Sequence, residues 1–215
     1  SLLYTFIPMT LVFDYGGVIV DLEPTRCIEA FQRLGLDIRP FLGTYRQGGV
    51  FSLLEEGRID VPTFCRELRK LGIREEVTDE EIVKAWEDYT VGIPAERLAL
   101  LEKIHANYRT AVLSNTNPIH WQQAEEKFFT SCGRRREDYF EQAFLSYRLQ
   151  LQKPDPALYA RVAEELGEKP EDILFFDDSL TNCEAAEQCG WKALPAPANS
   201  GWFKYFDAHG KLILP

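Results

Sequence analysis

The sequence is short of the residues that hold soft metals or cross-links. Its three histidines, His105, His120 and His209, stand far apart with no ligand spacing and read as structural or exposed. Its five cysteines, Cys27, Cys65, Cys132, Cys183 and Cys189, are odd in number and never spaced C-x-x-C. That pattern argues against a zinc site or a disulfide framework and suits idle thiols in a reducing cytosol, so a cytoplasmic protein is expected. Basic residues are outnumbered, 24 Lys and Arg against 34 Asp and Glu, for a net charge of −10. Nucleic-acid binding needs basic surface, so no such partner is expected. The basic run at Arg134, Arg135 and Arg136 is followed at once by Glu137 and Asp138 and reads as a solvated loop. Long apolar runs are also missing. The stretch 2–13 is apolar but contains Pro8, lacks a basic flank and runs into Asp14, too short to span a bilayer. Met9 is the single methionine and Ser1 opens the chain, so the segment ahead of Met9 is expected to be a processed or artificial start.

What is present is apolar material in a regular order. A chain of 215 residues, 45% hydrophobic, suits one α/β domain with an inserted subdomain, or two small domains. Short apolar runs at 11–13, 110–113, 143–146, 173–176 and 192–194 read as buried strands. Amphipathic patterns at 95–107, 156–166 and 182–189 lie between them and read as helices, the last ended by Gly190. Alternation of this kind is the mark of a doubly wound parallel sheet, which binds its ligands at the carboxyl ends of the strands.

The rhythm breaks between the first strand and the second. From 23 to 93 there are four helical patterns, at 25–34, 51–56, 61–71 and 78–90, and no convincing strand. Asp60, and Thr78 ahead of Glu80 and Glu81, are expected N-caps. An insertion here predicts a helical cap over the strand ends at 23–93, hinged at Pro24 and Pro94, with 1–22 and 94–215 as the catalytic core; caps exclude water and select substrates. Tyr45, Arg46 and Phe51 are candidate specificity residues. Trp191 is expected in the core, and Trp202, Phe203, Tyr205 and Phe206 are expected to pack back onto it or to form a dimer contact; monomer and homodimer both stay open.

Polar clusters stand at four strand ends. Asp14 follows an apolar run and precedes Tyr15-Gly16-Gly17, a carboxylate held out of the core where the chain can bend away. Ser114 and Asn115 follow the second run, Lys153-Pro154 precedes a helix capped by Asp155, and Asp177-Asp178-Ser179 follows the fourth. Each has an ordinary reading as a cap, a turn or a surface lysine; together, in this order, they point to one site.

The motifs D-Y-G-G-V at 14–18, S-N at 114–115, K-P at 153–154 and D-D-S-x-x-N at 177–182 resemble the haloacid dehalogenase-like hydrolase superfamily across nearly the whole chain. The resemblance implies a Rossmann-like core with central strand order 3-2-1-4-5 and a small helical cap. It implies a Mg²⁺-dependent hydrolase of small phosphate monoesters working through an aspartyl-phosphate, with a small phosphorylated metabolite as substrate. Asp14 would be the nucleophile, and the metal would be held by the Asp14 carboxylate, the Gly16 carbonyl and an acid from Asp177 and Asp178, with Asp178 favoured as the direct ligand. Lys153 would offset carboxylate–phosphate repulsion, Ser114 and the Asn115 backbone N–H would hold phosphoryl oxygens, and Asn182 would steady the acidic loop.

Gly16 departs from the pattern, since most phosphatases of the superfamily carry a second Asp there for proton transfer. General acid–base help is worth roughly 10²–10⁴-fold. Relatives with D-x-G at this motif include sugar-phosphate hydrolases, for which a good leaving group, or a proton from the cap or substrate, would serve. Asp21 could supply that proton, although a turn or hinge role fits it better. A 2-haloacid dehalogenase also lacks the second Asp, but attack on carbon needs no metal and the acid pair favours one. A catalytically weak protein that binds a phosphorylated ligand is the third reading; the retained Asp14 argues against it.

Overall fold

The computed structural model describes residues 10–213; most of the apolar stretch 2–13 and the segment ahead of Met9 lie outside the described residues. Strand β1 (Thr10–Phe13) is buried along its whole length, as a strand covered on both faces must be. After a turn the chain forms β2 (Asp21–Leu22) and then four helices, α1 (Pro24–Leu34), α2 (Gly49–Glu55), α3 (Val61–Leu71) and α4 (Asp79–Glu87). It returns as β3 (Thr90–Gly92), antiparallel to β2, with Leu22 opposite Thr90 and Asp21 opposite Gly92. The expected helix over 78–90 therefore stops short: β-branched Thr90 finds a strand partner across the chain. Two- and three-residue strands carry no visible alternation, which is why this pair was not expected.

The remainder alternates strand and helix, with α6 and α7 added to the three helices expected: α5 (Ala95–Asn107), β4 (Arg109–Ser114), α6 (Pro118–Gln123), β5 (Gln142–Leu145), α7 (Ser146–Leu149), α8 (Pro156–Leu166), β6 (Ile173–Asp177), α9 (Leu180–Gln188) and β7 (Lys192–Pro195). The five strands β1 and β4 to β7 make one parallel sheet in the order β5-β4-β1-β6-β7. Numbered among themselves they run 3-2-1-4-5, as the motifs implied. Phe13 lies beside Val112 on one side and Phe176 on the other, so β1 is central and its carboxyl end opens between β4 and β6.

The caps fall where the sequence placed them. Asp60 accepts from the Thr63 N–H at 2.9 Å, Asp155 accepts from Ala157, and Thr78 forms a capping box with Glu81. Each contributes about 1 kcal/mol to its helix. Helices α1 to α4 share an apolar core that Ile119 of α6 joins, in which the Phe51 ring centre lies 5.2 Å from that of Phe64 and 4.8 Å from that of Trp86. Phe51 is therefore a core residue and does not reach the cavity. Trp191 is buried edge-on against Tyr159 and Phe175. The aromatic tail does fold back: Trp202 is buried, donates to the Val18 carbonyl at 2.9 Å and packs on Phe13. All five cysteines are free thiols. Among the described residues no helix is long and apolar enough to cross a membrane.

Candidate active site

The ladder that holds β1 continues one residue past its end, with the Asp14 N–H donating to the Phe176 carbonyl at 2.9 Å. Asp14 is thus set rigidly between β4 and β6, and its Oδ1 also accepts the Tyr15 N–H at 2.8 Å. The chain turns away at Gly17, whose φ of +77° and a distance of 3.4 Å from its would-be Cβ to Asp178 Oδ2 call for glycine. Gly16 is under no such constraint: a Cβ there would meet only Leu22, at 3.7 Å.

Lys153 unites the first and last motifs. Its Nζ lies 2.8 Å from Asp14 Oδ1 and 2.8 Å from Asp177 Oδ2, in an almost fully buried setting. A buried ammonium is tolerated only with such partners. The two carboxylates raise the Lys153 pKa against the opposing effect of burial, so it stays charged. Asp177 is spoken for on both oxygens: Oδ1 accepts the Ser179 N–H at 2.8 Å, and Oδ2 takes Lys153 and the Asn182 amide at 3.2 Å. Asp178, in contrast, lines the cavity beside Asp14.

Asn115 and Ser114, at the end of β4, serve different ends. The Asn115 side chain accepts the Lys153 N–H at 2.9 Å and donates to the Lys153 carbonyl at 3.1 Å. Ser114 is buried and lines the cavity. Behind them the Ser146 hydroxyl bonds the Thr116 main chain and donates to the Glu55 carbonyl at 2.7 Å, tying α2 to the sheet.

The cavity over Asp14 encloses about 90 Å³. Of the residues expected to carry the chemistry or hold the metal and phosphate, all line it except Asp177, which bonds Lys153 from outside the lining. From the helical side come Thr44, Tyr45, Gln47, Glu55 and Tyr89. Of the specificity candidates Tyr45 is there, with its hydroxyl 3.5 Å from the Asp178 carbonyl, whereas Arg46 turns to Gln152. Asp21 is not: it pairs with the buried Arg97 at 2.6 Å, the hinge-type role. His120 lines the wall as a neutral ring, its pKa pushed down to about 4 by burial and its nitrogens set against Asn117 and the Trp86 carbonyl. Glu55, Gln47, Tyr89 and His120 were missed as site residues. The spacing Phe51–Glu55, one helical turn that puts an acid on an apolar face, was the available signal for Glu55.

Asp14, Asp177 and Asp178 each offer a carboxylate oxygen, all within 4.8 Å of one another. Burial, and then the charge of Asp177, push Asp14 up to about 8 and Asp178 up to about 6. Three crowded acids with one lysine between them lack positive charge. Hard oxygen donors with that deficit fit Mg²⁺.

The chain is similar to several known phosphatases. The chain is 33% identical over 193 residues to D-ribitol-5-phosphate phosphatase of Bacteroides thetaiotaomicron, covering 89% of this chain and 93% of that one. It is 26% identical over 192 residues to a phosphorylated carbohydrates phosphatase of Thermotoga maritima, covering 84% and 81%. A crystal structure of a mutant HAD family enzyme from Bacteroides thetaiotaomicron, in complex with magnesium and inorganic phosphate, superposes with a TM-score of 0.85 at 34% identity, covering 89% of this chain and 95% of that one. The family model for haloacid dehalogenase-like hydrolases matches residues 8–190, and the chain belongs to that family of enzymes.

Proposed function

We propose that the protein is a Mg²⁺-dependent phosphatase of small phosphate monoesters, sugar phosphates among them, acting through an aspartyl-phosphate on Asp14. The carrying observation is the Lys153 ammonium held 2.8 Å from both Asp14 and Asp177, with Asp178 open to the same cavity. Attack on carbon by a lone carboxylate would have no use for that acid cluster. The named activities of the relatives support the choice of phosphorus.

Asp14, Asp178 and the Gly16 carbonyl would hold the ion, with Asp177 offering a further oxygen directly or through water. Bound there, Mg²⁺ would offset the charge of the phosphoryl oxygens against the attacking carboxylate. The Asp14 carboxylate forms a bond to phosphorus as the ester P–O bond breaks, and the electron pair leaves with the alcohol oxygen. Lys153 fixes the attacking carboxyl and opposes the upward push that burial and Asp177 give its pKa. Ser114 and the Asn115 N–H orient phosphoryl oxygens. Water then attacks phosphorus, frees inorganic phosphate and returns Asp14, and the proton this water loses balances the one that the departing alcohol oxygen takes from solvent. The helical unit 23–93 acts as the cap, with 1–22 and 94–215 as the catalytic core.

Acid quench during turnover of ³²P-labelled D-ribitol 5-phosphate tests the reading. Label on the peptide carrying Asp14, lost with hydroxylamine and absent with chelator, is expected; steady turnover with no such label in rapid-quench samples would refute the covalent route.

A further inference from the structure

We propose that Glu55 is a specificity-determining residue: its carboxyl, at the cap end of the cavity that holds Asp14, takes a hydroxyl of the substrate's carbon portion and disfavours a second anionic group. This rests on the phosphatase reading and deepens it, by fixing the substrate class as neutral and polyhydroxylated.

Glu55 is only 5% exposed and lines the cavity. Its carboxyl accepts the Gln47 backbone N–H, yet Oε2 is buried without a hydrogen-bond partner. An orphaned buried oxygen is costly unless something fills it. The main chain at Glu55 is tied to the sheet, its carbonyl accepting the Ser146 hydroxyl at 2.7 Å. Burial pushes its pKa up to about 8, so near neutrality it is largely an uncharged acid, an O–H donor and a carbonyl acceptor together. A substrate hydroxyl, itself donor and acceptor, matches it. An anion does not: among the described lining residues the one lasting cation is Lys153, already shared between Asp14 and Asp177.

The position suits recognition of the carbon portion and not proton delivery to the scissile oxygen. Asp14 stands just past the end of β1 in the sheet, whereas Glu55 closes α2 in the helical unit. Tyr89, between α4 and β3, lines the same cavity. Phosphate chemistry and carbon recognition are thus separated along the cavity.

Steady-state kinetics with Mg²⁺ on D-ribitol 5-phosphate, n-pentyl phosphate and 4-phosphoerythronate decide the matter. Wild type should favour ribitol 5-phosphate over each of the other two by at least about 10²-fold in kcat/KM, as sites built around a substrate hydroxyl do. Glu55→Ala should lose about 10–100-fold on ribitol 5-phosphate and change less than about threefold on pentyl phosphate. Glu55→Gln, which keeps a donor and an acceptor and fills the same volume, should retain ribitol 5-phosphate turnover within about threefold. Equal losses on ribitol and pentyl phosphates in Glu55→Ala, a kcat collapse in Glu55→Gln on every substrate, or no preference in the wild type would each overturn the assignment. Absence of any Mg²⁺-dependent phosphate release by the wild type, acetyl phosphate included, would instead sink the phosphatase reading and the role of Glu55 with it.

Discussion

The side-chain amide of Asn115 holds the main chain of Lys153 on both sides, accepting its N–H at 2.9 Å and donating to its carbonyl at 3.1 Å. The carboxyl end of β4 thereby positions the ammonium that reaches Asp14. Asn115→Ala should lower kcat by about 10–100-fold with a much smaller effect on KM, because misplacing a catalytic group by an ångström is enough to do so. Two lost hydrogen bonds should also cost about 2 kcal/mol of stability, read from denaturant unfolding. Wild-type kcat in a folded Asn115→Ala protein would show that Lys153 needs no such support.

Protons and Mg²⁺ should compete for the acid cluster. Asp14 is pushed up to about 8 and Asp178 up to about 6, chiefly by burial and then by Asp177. Below those values the carboxyls hold protons that the ion must displace, so apparent Mg²⁺ affinity should rise with pH from about 5.5 and level off above about 8. The slope is up to about tenfold per pH unit for each proton released. Calorimetric titration in buffers of different ionisation enthalpy should show that release; a pH-independent affinity would contradict it.

Gly16 leaves room for the acid it lacks, the nearest atom to an added Cβ being Leu22 Cδ1 at 3.7 Å. Gly16→Asp should fold normally and raise kcat on alkyl phosphates by at least about 10-fold, the lower end of general acid–base help being roughly 10². On p-nitrophenyl phosphate, whose leaving group needs no proton, the gain should be slight. Equal gains on both would mean that the new side chain acts on something other than the leaving oxygen.

The parts of this site that could be read from the sequence are those fixed by strand ends. Asp14 and Asp177 close apolar runs, and a buried strand that stops at a polar residue announces where the sheet opens. The sheet order followed from four short motifs and their resemblance to one family, which periodicity alone could not have supplied. What escaped depends on packing between distant segments. Asp21 meets Arg97 and so leaves the chemistry, although nothing near it in sequence says so. Phe51 and Glu55 lie one turn apart on α2, yet one enters the helical core and the other faces the cavity. Thr90 follows a helix and becomes a strand because Leu22 lies opposite.

The most direct check of the proposed chemistry is phosphate release from D-ribitol 5-phosphate with Mg²⁺, measured for the wild type and for Asp14→Asn. Turnover should be present in the wild type, vanish with chelator, and fall at least about 10³-fold in a folded Asp14→Asn protein, as expected when a nucleophile is removed. Turnover that survives chelation, or that persists in Asp14→Asn, would contradict Asp14 as a metal-assisted phosphoryl acceptor.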